Sequence, residues 1–457
     1  MARPLIRLDA LGPSGPYRAR ALRTVTDVAG TPMAELSLVP GLFVHRALAA
    51  LRSAAPLTPD ERAEALSRAG RAFAADEVGG VSVQEYEHAV ARVAGIPVRA
   101  VRETTRTIAH AAAESYRAAH AARPQAALTD WRDPLTRRGR AVWTRRGEVL
   151  AVHAPGNHPG VQAQWLEALA LGYRVAVRPS RREPFTPHRL VTALRESGFS
   201  GDQVVLLPTE HDVADELVRE ADLAMVYGGD EVVDRHRGDP NVLPQGPGRS
   251  KILLTGEDWR DHLDMIVDSI VHQAGVACVN ATAVFVDGDP APVAEALAAR
   301  LGRLAELPPE HGDAVLPVQP EETARAFERH LVACADGAVP WHAPDGIARP
   351  LGDGSSVLYP AVHQVARGDA PQTRIELPFP CVWVAPWSPE DGIAPLRDTL
   401  ALTVVSEDEH LVDRLVAEPS IGNVYVGDHP THWTEPGSPH DGYLAEFLMR
   451  SKSVFRN

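Results

Sequence analysis

The sequence predicts an α/β protein built around a parallel β-sheet. From Glu148 onward, apolar segments of four or five residues alternate with amphipathic segments of about ten residues, which is typical of βαβ units. Short strands are predicted at 149–152, 174–177, 204–207 and 223–226. Ligands bind such sheets beyond the carboxyl ends of the strands. The functional site is therefore expected in the loops at 153–160, 178–187 and 227–231.

Helices are predicted between these strands and in the first 125 residues. Thr58 precedes Pro59 and an amphipathic segment, so it is expected to cap a helix N-terminus. By the same pattern, Thr186 is expected to cap a helix that ends near Gly198. Residues 126–147 have the alternating character of an exposed strand pair. Further helical segments are predicted from Val83 and at 97–121, 161–171, 212–220, 231–235 and 262–271.

Composition and charge limit the class of protein. The 457 residues carry a formal net charge of -14, which argues against a basic nucleic-acid-binding surface. No window approaches the roughly 18 apolar residues of a membrane span, and the charged start lacks the apolar core of a signal peptide. Three cysteines in so long a chain give neither a disulfide framework nor paired metal-ligand spacing. We therefore expect a cytoplasmic protein without a nucleic-acid partner, a membrane span or a metal site.

Cys278 is the candidate nucleophile. It follows a predicted helix, and Gly275, three residues earlier, lets the backbone bend so that a substrate can approach closely. A buried core cysteine is the alternative that position alone leaves open. Cys334 lies in a predicted helix and Cys381 in an apolar strand, so both are expected to be structural.

Asn157 is the candidate oxyanion-binding residue. It lies in the strand-to-helix turn 154–157, and its side-chain NH2 can donate to an oxyanion that forms on a carbonyl. The alternative is an Asn whose side chain satisfies the turn itself.

Three further loops carry candidate binding residues. Arg178 to Arg182 form a basic loop directly after a strand, where basic side chains can reach a ribose or a phosphate. Gly228 and Gly229 precede a short helix and leave its N-terminus open to a pyrophosphate. Glu376 precedes an apolar, proline-containing strand and can accept hydrogen bonds from a sugar diol. A solvated loop, an ordinary turn and a surface Glu are the respective alternatives.

The order of these motifs resembles that of the aldehyde dehydrogenase superfamily, from about Glu148 to the C-terminus. A Pro-x-Asn turn is followed by a basic-Pro-Ser loop, a Gly-Gly turn, a Gly-x-x-Cys segment and a Glu-x-x-x-Pro segment. The resemblance implies that Cys278 is the nucleophile and Asn157 the oxyanion-hole amide. The thiol is expected to need a lowered pKa, supplied by a helix N-terminus or by the positive ring of the cofactor.

The resemblance also implies how the cofactor is held. Arg178 stands where the family usually has a Lys that holds the adenosine ribose, and Ser180 matches the Ser of that motif. Gly228 and Gly229 match the pair of small residues beneath the pyrophosphate. Glu376 matches the Glu that holds the nicotinamide ribose.

The segment 244–251 departs from the family pattern because it contains no carboxylate. Hydrolytic members carry a Glu there that activates the deacylating water. Without that base a thioacyl enzyme reacts slowly with water, whereas a thiol remains a good nucleophile. The pattern is similar to that of acylating dehydrogenases and long-chain acyl reductases. It implies NADPH-dependent reduction of an acyl thioester to an aldehyde, or the reverse reaction.

Arg181 is a second departure, since the family often has an acidic residue there that binds the 2′-hydroxyl of NAD. Arg181 or Arg182 can instead pair with a 2′-phosphate. NADP(H) is therefore the expected cofactor, with NAD(H) as the alternative.

The fold implied by the resemblance is aldehyde dehydrogenase-like: a Rossmann-type cofactor domain, an α/β catalytic domain and a small oligomerisation element. The expected divisions are an N-terminal segment at 1–125 that packs on the cofactor domain, oligomerisation strands at 126–147 and 436–457, the cofactor domain at 148–245 and the catalytic domain at 246–435. The expected partner is an acyl-CoA or an acyl-carrier protein, and the expected assembly is a homodimer or homotetramer. Two alternatives stay open: a hydrolytic dehydrogenase whose base is Glu376 or His158, and an inactive binding protein on the same fold.

Overall fold

The computed structural model describes residues 5–256, 258–343, 346–435 and 437–456. The α-helices in chain order are α1 (Gly41–Ser53), α2 (Pro59–Ala75), α3 (Val83–Ala94), α4 (Val98–Ala121), α5 (Leu166–Ala170), α6 (Phe185–Glu196), α7 (His211–Glu220), α8 (Asp230–His236), α9 (Leu263–Val271), α10 (Ala291–Leu301), α11 (Glu321–Cys334), α12 (Glu409–Val416) and α13 (Leu444–Leu448). The strands are β1 (Ile6–Leu8), β2 (Ala10–Gly12), β3 (Gly15–Tyr17), β4 (Ala21–Thr26), β5 (Pro32–Leu38), β6 (Arg140–Arg145), β7 (Val149–His153), β8 (Arg174–Arg178), β9 (Val204–Leu206), β10 (Leu223–Tyr227), β11 (Val242–Gln245), β12 (Ser250–Leu254), β13 (Ala281–Asp287), β14 (Val318–Pro320), β15 (Val339–His342), β16 (Ala348–Pro350), β17 (Ser355–Leu358), β18 (Ala361–Gln364), β19 (Cys381–Trp387), β20 (Thr399–Val405), β21 (Ile421–Val426) and β22 (Met449–Val454).

The first large sheet has the order β11-β10-β7-β8-β9-β2-β3, in which β11 through β9 run parallel. The predicted strands at 149–152, 174–177, 204–207 and 223–226 are confirmed to within one residue. Strand β7 lies between β8 and β10, so the chain winds away from β7 in both directions. His153 at the end of β7 pairs with Arg178 on one side and Val226 on the other. The loops after these strands therefore open together at the switch point, where parallel sheets bind ligands.

The second large sheet has the order β15-β18-β19-β13-β12-β20-β21, and all but β15 run parallel. Strands β12 and β13 are buried along almost their whole length, as expected for a parallel sheet covered on both faces. The chain passes from the first sheet to the second between Gln245 and Ser250, inside the Pro/Gly-rich segment 240–248. The residues that precede β12, β13, β20 and β21 face the carboxyl edge of the first sheet across one cavity.

Helix α2 begins as its sequence predicts. Thr58 Oγ1 accepts a hydrogen bond from Glu61 N at 3.3 Å, and Glu61 Oε2 accepts one from Thr58 N at 2.7 Å. This capping box satisfies two backbone donors that a helix start otherwise leaves unpaired. Helices α2 and α4 then pack together in a core that also contains α6 and one face of the first sheet.

Helix predictions near the site were wrong in two places. The segment predicted as one helix at 161–171 is a 3-10 helix at Pro159–Ala163 followed by the short α5. Thr186 does not cap α6, because that helix already begins at Phe185. The N-cap residue is Pro184, and Glu183 before it accepts a hydrogen bond at Oε1 from Thr186 N at 2.8 Å.

The strand pair predicted within 126–147 was also wrong. Asp133 and Pro134 start a 3-10 helix at Pro134–Arg138, which leaves only β6 in that segment. Strand β6 instead pairs antiparallel with β22 near the C-terminus, from Arg145–Met449 to Arg140–Val454. Among the described residues, no helix is both long enough and apolar enough to cross a membrane.

Candidate active site

A cavity of about 560 Å³ lies between the carboxyl edge of the first sheet and the amino edge of the second. The structure brings to it the predicted residues Asn157, Gly228, Gly229, Cys278 and Glu376. These positions are spread over more than two hundred residues of chain, and the two facing sheet edges are what bring them together.

Cys278 is held at the end of an unusual turn after α9. Gln273, Ala274 and Gly275 have φ values of 49°, 64° and 70°, all in the left-handed region. A Cβ on Gly275 would lie 2.5 Å from Pro380 N, so glycine is required there both for φ and for space. Thr104 Oγ1 donates to Gln273 Oε1 at 3.0 Å and fixes the strained segment. Strain of this kind persists only where the surroundings stabilise it, and it is common at functional sites.

The segment that lacks a carboxylate lies directly against the candidate nucleophile. A Cβ on Gly248 would lie 1.8 Å from the carbonyl oxygen of Cys278. Ser250 Oγ donates to the same oxygen at 3.0 Å. Gln245, Gly246, Pro247, Gly248 and Arg249 all line the cavity. The place beside Cys278 that this segment occupies therefore holds backbone, an amide and a guanidinium but no acid.

Asn157 points at the cysteine segment. Its Nδ2 donates to the carbonyl oxygen of Val276 at 3.1 Å, so the side chain does not merely satisfy its own turn. Asn157 and Cys278 line the same cavity. An amide held in this position can also donate to an oxyanion on a carbonyl that is attached to the cysteine sulfur.

The Cys278 thiol is protonated at rest. Burial raises the pKa of this half-buried thiol to about 12, and the Glu376 carboxylate adds to the shift. The expected lowering of the thiol pKa by a helix N-terminus is therefore wrong for the protein alone. The thiol needs a base, and Cys278 Sγ lies 3.8 Å from His440 Nε2. Burial lowers the pKa of His440, which keeps its imidazole neutral.

Sequence reasoning missed His440, which lies in the C-terminal region 436–457 assigned to oligomerisation. Asn423 fixes it, because its Nδ2 donates to the backbone oxygen of His440 and, at 2.9 Å, to that of Leu400. His440 is 162 residues from Cys278 in sequence, so no local spacing reports the contact. The one available signal was a Ser-Pro-His-Asp-Gly turn in a segment otherwise typical of a packed tail.

Glu376 is positioned to accept from a polar ligand. Its Oε2 accepts from Arg249 N at 2.8 Å, and burial raises its pKa. Arg249 has a left-handed φ of 48° and its Nη2 pairs with Asp230 Oδ2 at 2.5 Å. A Cβ on Gly229 would meet nothing within 4 Å, so open space adjoins it. Glu376 and Gly229 line the same cavity.

The start of α8 fits a pyrophosphate less well than the two glycines alone indicate. Asp230 and Glu231 occupy its first turn, and carboxylates there oppose an anion at a helix N-terminus. The ion pair between Arg249 and Asp230 offsets part of that repulsion.

The basic loop does not line the cavity. Arg178 is buried, with its Nε donating to Thr209 Oγ1 at 3.2 Å, and Arg181 forms an ion pair with Glu210. Ser180 lies against the Asn157 turn, since a Cβ on Gly156 would lie 2.3 Å from Ser180 Oγ.

Arg182 turns away from this loop, and its Nη2 donates to Gln319 Oε1 at 2.6 Å. Arg181 is therefore the basic side chain of the pair that is not tied to the second half of the molecule.

The remaining candidates are placed clearly. His158 lines the cavity, and burial lowers its pKa to about 4. Cys334 ends α11, with Sγ 3.6 Å from His330 Nε2. Cys381 is buried at the start of β19. Neither of these two cysteines lines the cavity.

Comparison with known proteins identifies the fold. The sequence model of the Aldehyde dehydrogenase family matches residues 40–451. A NAD-dependent aldehyde dehydrogenase from Sinorhizobium meliloti has a TM-score of 0.83 at 18% identity, covering 99% of this chain and 95% of that one. An aldehyde dehydrogenase from Brucella melitensis biovar abortus 2308 has a TM-score of 0.80 at 18% identity, covering 100% and 99%. An NADP-dependent enzyme from E. coli has a TM-score of 0.82 at 17% identity, covering 98% of each chain.

No curated protein matches the sequence. The structural likenesses, all under 25% identity, show the fold, whereas the family match covers most of the chain. The chain belongs to the aldehyde dehydrogenase family and is an oxidoreductase that acts on aldehydes with NAD or NADP.

Proposed function

We propose that this enzyme reduces an acyl thioester of CoA or of a carrier protein to an aldehyde with NADPH, or catalyses the reverse acylating oxidation. The observation that carries the proposal is the segment 244–251, which packs Gly248 onto the Cys278 carbonyl and contains no carboxylate. An acyl group on Cys278 has no base in this segment to activate water, so hydride or a thiol is its better acceptor.

The residues divide the chemistry as follows. Cys278 Sγ attacks the thioester carbonyl, and the oxyanion accepts hydrogen bonds from Asn157 Nδ2 and the backbone N–H of Cys278. The thiol of the substrate leaves, and the acyl group stays on Cys278. When bound, the cofactor supplies hydride to that carbonyl. Asn157 then stabilises the second oxyanion until it collapses to the aldehyde and the Cys278 thiolate.

NADPH is proposed over NADH because Arg181 lies in the loop after β8. Its ion pair with Glu210 must loosen for the guanidinium to meet a 2′-phosphate. Solved relatives use NADP, as in the E. coli enzyme, or NAD, as in the S. meliloti enzyme. The Arg181→Ala substitution should weaken NADPH binding by about tenfold and leave NADH binding unchanged, as measured by fluorescence titration. Equal losses for both cofactors would remove the argument for NADP.

The test of the function is product analysis with a panel of acyl-CoA and acyl-carrier-protein substrates. Thioester-dependent NADPH consumption with equimolar aldehyde and free thiol is the expected result. Cys278→Ala should abolish it, whereas Cys334→Ala, a matched change at a half-buried cysteine outside the cavity, should not. Formation of free acid from aldehyde and NAD(P) without CoA would favour the hydrolytic function, with Glu376 or His158 as base.

An inactive binding protein is the remaining alternative, and absence of NADPH binding in the same titration would favour it. The cavity lined by Cys278, Asn157 and Glu376 supports an enzyme instead.

We also propose a domain division and an oligomeric assembly. The two large sheets support a cofactor domain at 148–245 and a catalytic domain at 246–435, with 1–125 packed on the former. Leu135 and Phe455, which lie before β6 and after β22 in the chain, have exposed apolar side chains. The family is generally oligomeric, and we propose a homodimer or homotetramer assembled through the two-stranded sheet of β6 and β22. Sedimentation of the protein with and without Phe455→Ser tests it.

A further inference from the structure

Thioester reduction makes two demands on protons at Cys278. The thiol proton must leave when Sγ attacks, and the departing thiolate must receive one. Overall, the thioester, NADPH and one proton become the aldehyde, the free thiol and NADP+. The proton lost by Cys278 balances the one gained by the departing thiolate. One proton from solvent is therefore consumed per turnover, at the Cys278 thiolate that forms when the aldehyde leaves.

His440 is the neighbour that can move the first proton. Its Nε2 lies 3.8 Å from Cys278 Sγ, and both residues line the main cavity. Burial keeps the imidazole neutral, because Asp441 only partly counters the desolvation that lowers its pKa. A neutral imidazole beside a protonated thiol forms a pair that can pass one proton back and forth.

His440 also lines a second cavity of about 60 Å³. Its lining includes Gln164, Glu167, His440 and Asp441. Glu167 Oε2 is buried and has no hydrogen-bond partner among the described residues. A polar cavity of this size is large enough to hold water, and a buried carboxyl oxygen could accept a hydrogen bond from it. Burial raises the pKa of Glu167 to about 7, so it can hold or release a proton at neutral pH.

We propose that His440 is the acid–base residue of the Cys278 thiol and that Glu167, acting through the second cavity, resupplies His440 with the proton consumed in each turnover. This inference rests on the proposed thioester reduction, which fixes how many protons move. His440 contacts the reacting sulfur and is catalytic. Glu167 does not contact the sulfur; it acts only through His440, as a positioning residue that returns a proton to the His440 imidazole.

Other titratable groups face these three residues and contribute to any pH profile. Glu376 and Asp441 raise the Cys278 pKa, and Tyr227 is oriented by its hydrogen bond to Gln164. The titratable groups that line the two cavities with them are His158, Tyr227, Arg249, Glu376, Asp398, Asp441 and Tyr443.

His440 is tested without cofactor or substrate by alkylation of Cys278 with iodoacetamide, read by peptide mass spectrometry. His440→Gln should slow alkylation at pH 7.5 by about 100-fold, the usual contribution of a general base. His363→Gln, at a buried histidine outside both cavities whose pKa burial also lowers, is the matched control and should alkylate at the wild-type rate. Wild-type alkylation in His440→Gln would overturn the role of His440, whatever reaction the enzyme catalyses.

Glu167 is tested by separating the two half-reactions. Glu167→Gln should keep the burst of free thiol on mixing with acyl-CoA alone, because that step needs no outside proton. Steady-state aldehyde formation should fall by about tenfold with KM unchanged, and the limb of the kcat profile near pH 7 should disappear. Glu183→Gln, at a buried carboxyl whose pKa burial also raises to about 7, should retain the profile.

An unchanged kcat profile in Glu167→Gln would overturn the relay. If the wild-type enzyme gives no thiol burst at all, the proposed thioester reduction is wrong. The alkylation assay still tests the role of His440 independently, because it uses neither substrate nor cofactor.

Discussion

Gly248→Ala places a methyl group where the structure leaves no room for one. The added Cβ would lie 1.8 Å from the Cys278 carbonyl oxygen and 2.6 Å from its carbonyl carbon. An ordinary contact needs at least 3.4 Å, so the two segments must separate by about 1.6 Å. Both neighbours are backbone atoms, and no side chain can rotate away to relieve the clash. The displacement falls on the residue whose sulfur must meet the substrate carbonyl.

A misplacement of about 1 Å at a reacting group costs on the order of 100-fold in rate, or about 2.7 kcal/mol of activation free energy. We therefore expect kcat for thioester reduction in Gly248→Ala to fall by at least about 100-fold. Overpacking of a tight contact also destabilises a protein by about 1–3 kcal/mol, so Tm should fall by a few degrees. NADPH oxidation, followed well below the Tm that circular dichroism gives for the variant, measures the rate on folded protein.

Gly312→Ala is the matched control, because its Cβ would meet nothing within 4 Å. It should leave both kcat and Tm near the wild-type values. A Gly248→Ala enzyme with wild-type kcat and Tm would refute the close packing of segment 244–251 on Cys278. The argument from its missing carboxylate would then lose its geometric basis.

Three further perturbations have outcomes set by the same structure. Asn157→Ala should lower kcat by about 100- to 1000-fold with little change in KM, since the amide acts on the oxyanion. Acid should destabilise the fold as pH falls from about 6.5 towards 4. Burial lowers the pKa of His158 to about 4 and that of His272 to about 3, so both histidines bind protons at a higher pH in the unfolded chain than in the folded one. Urea unfolding at pH 7 and pH 5 measures this loss of stability. Glu167→Gln should raise the free energy of unfolding at pH 8 by about 1–3 kcal/mol, because the wild-type carboxylate is ionised there and no described residue gives its Oε2 a hydrogen bond.

The sequence predicted the parts of the site that short-range patterns determine. Strand β7 and the turn to Asn157 follow from an apolar run and a Pro/Gly turn, and the Gly275 bend before Cys278 follows from the need for positive φ. Parallel strands whose ends align in register then bring such loops together without further information.

Features that depend on distant partners were missed or misread. His440 contacts Cys278 from the C-terminal region, where Asn423 on β21 donates a hydrogen bond to its backbone oxygen. The loop with Arg181 is directed by an ion pair to Glu210, and β6 takes its partner from the C-terminal β22. Each contact joins residues 17 or more positions apart, where neither hydrophobic period nor turn chemistry carries information.

The most direct measurement is the intact mass of the protein after mixing with the acyl-CoA that turns over fastest, without NADPH. We expect one acyl group on Cys278, stoichiometric release of CoA, an adduct that persists in water, and its discharge as aldehyde when NADPH is added. Absence of the adduct, or its rapid hydrolysis to free acid in water, would contradict the claim that this cysteine holds an acyl group for hydride or a thiol.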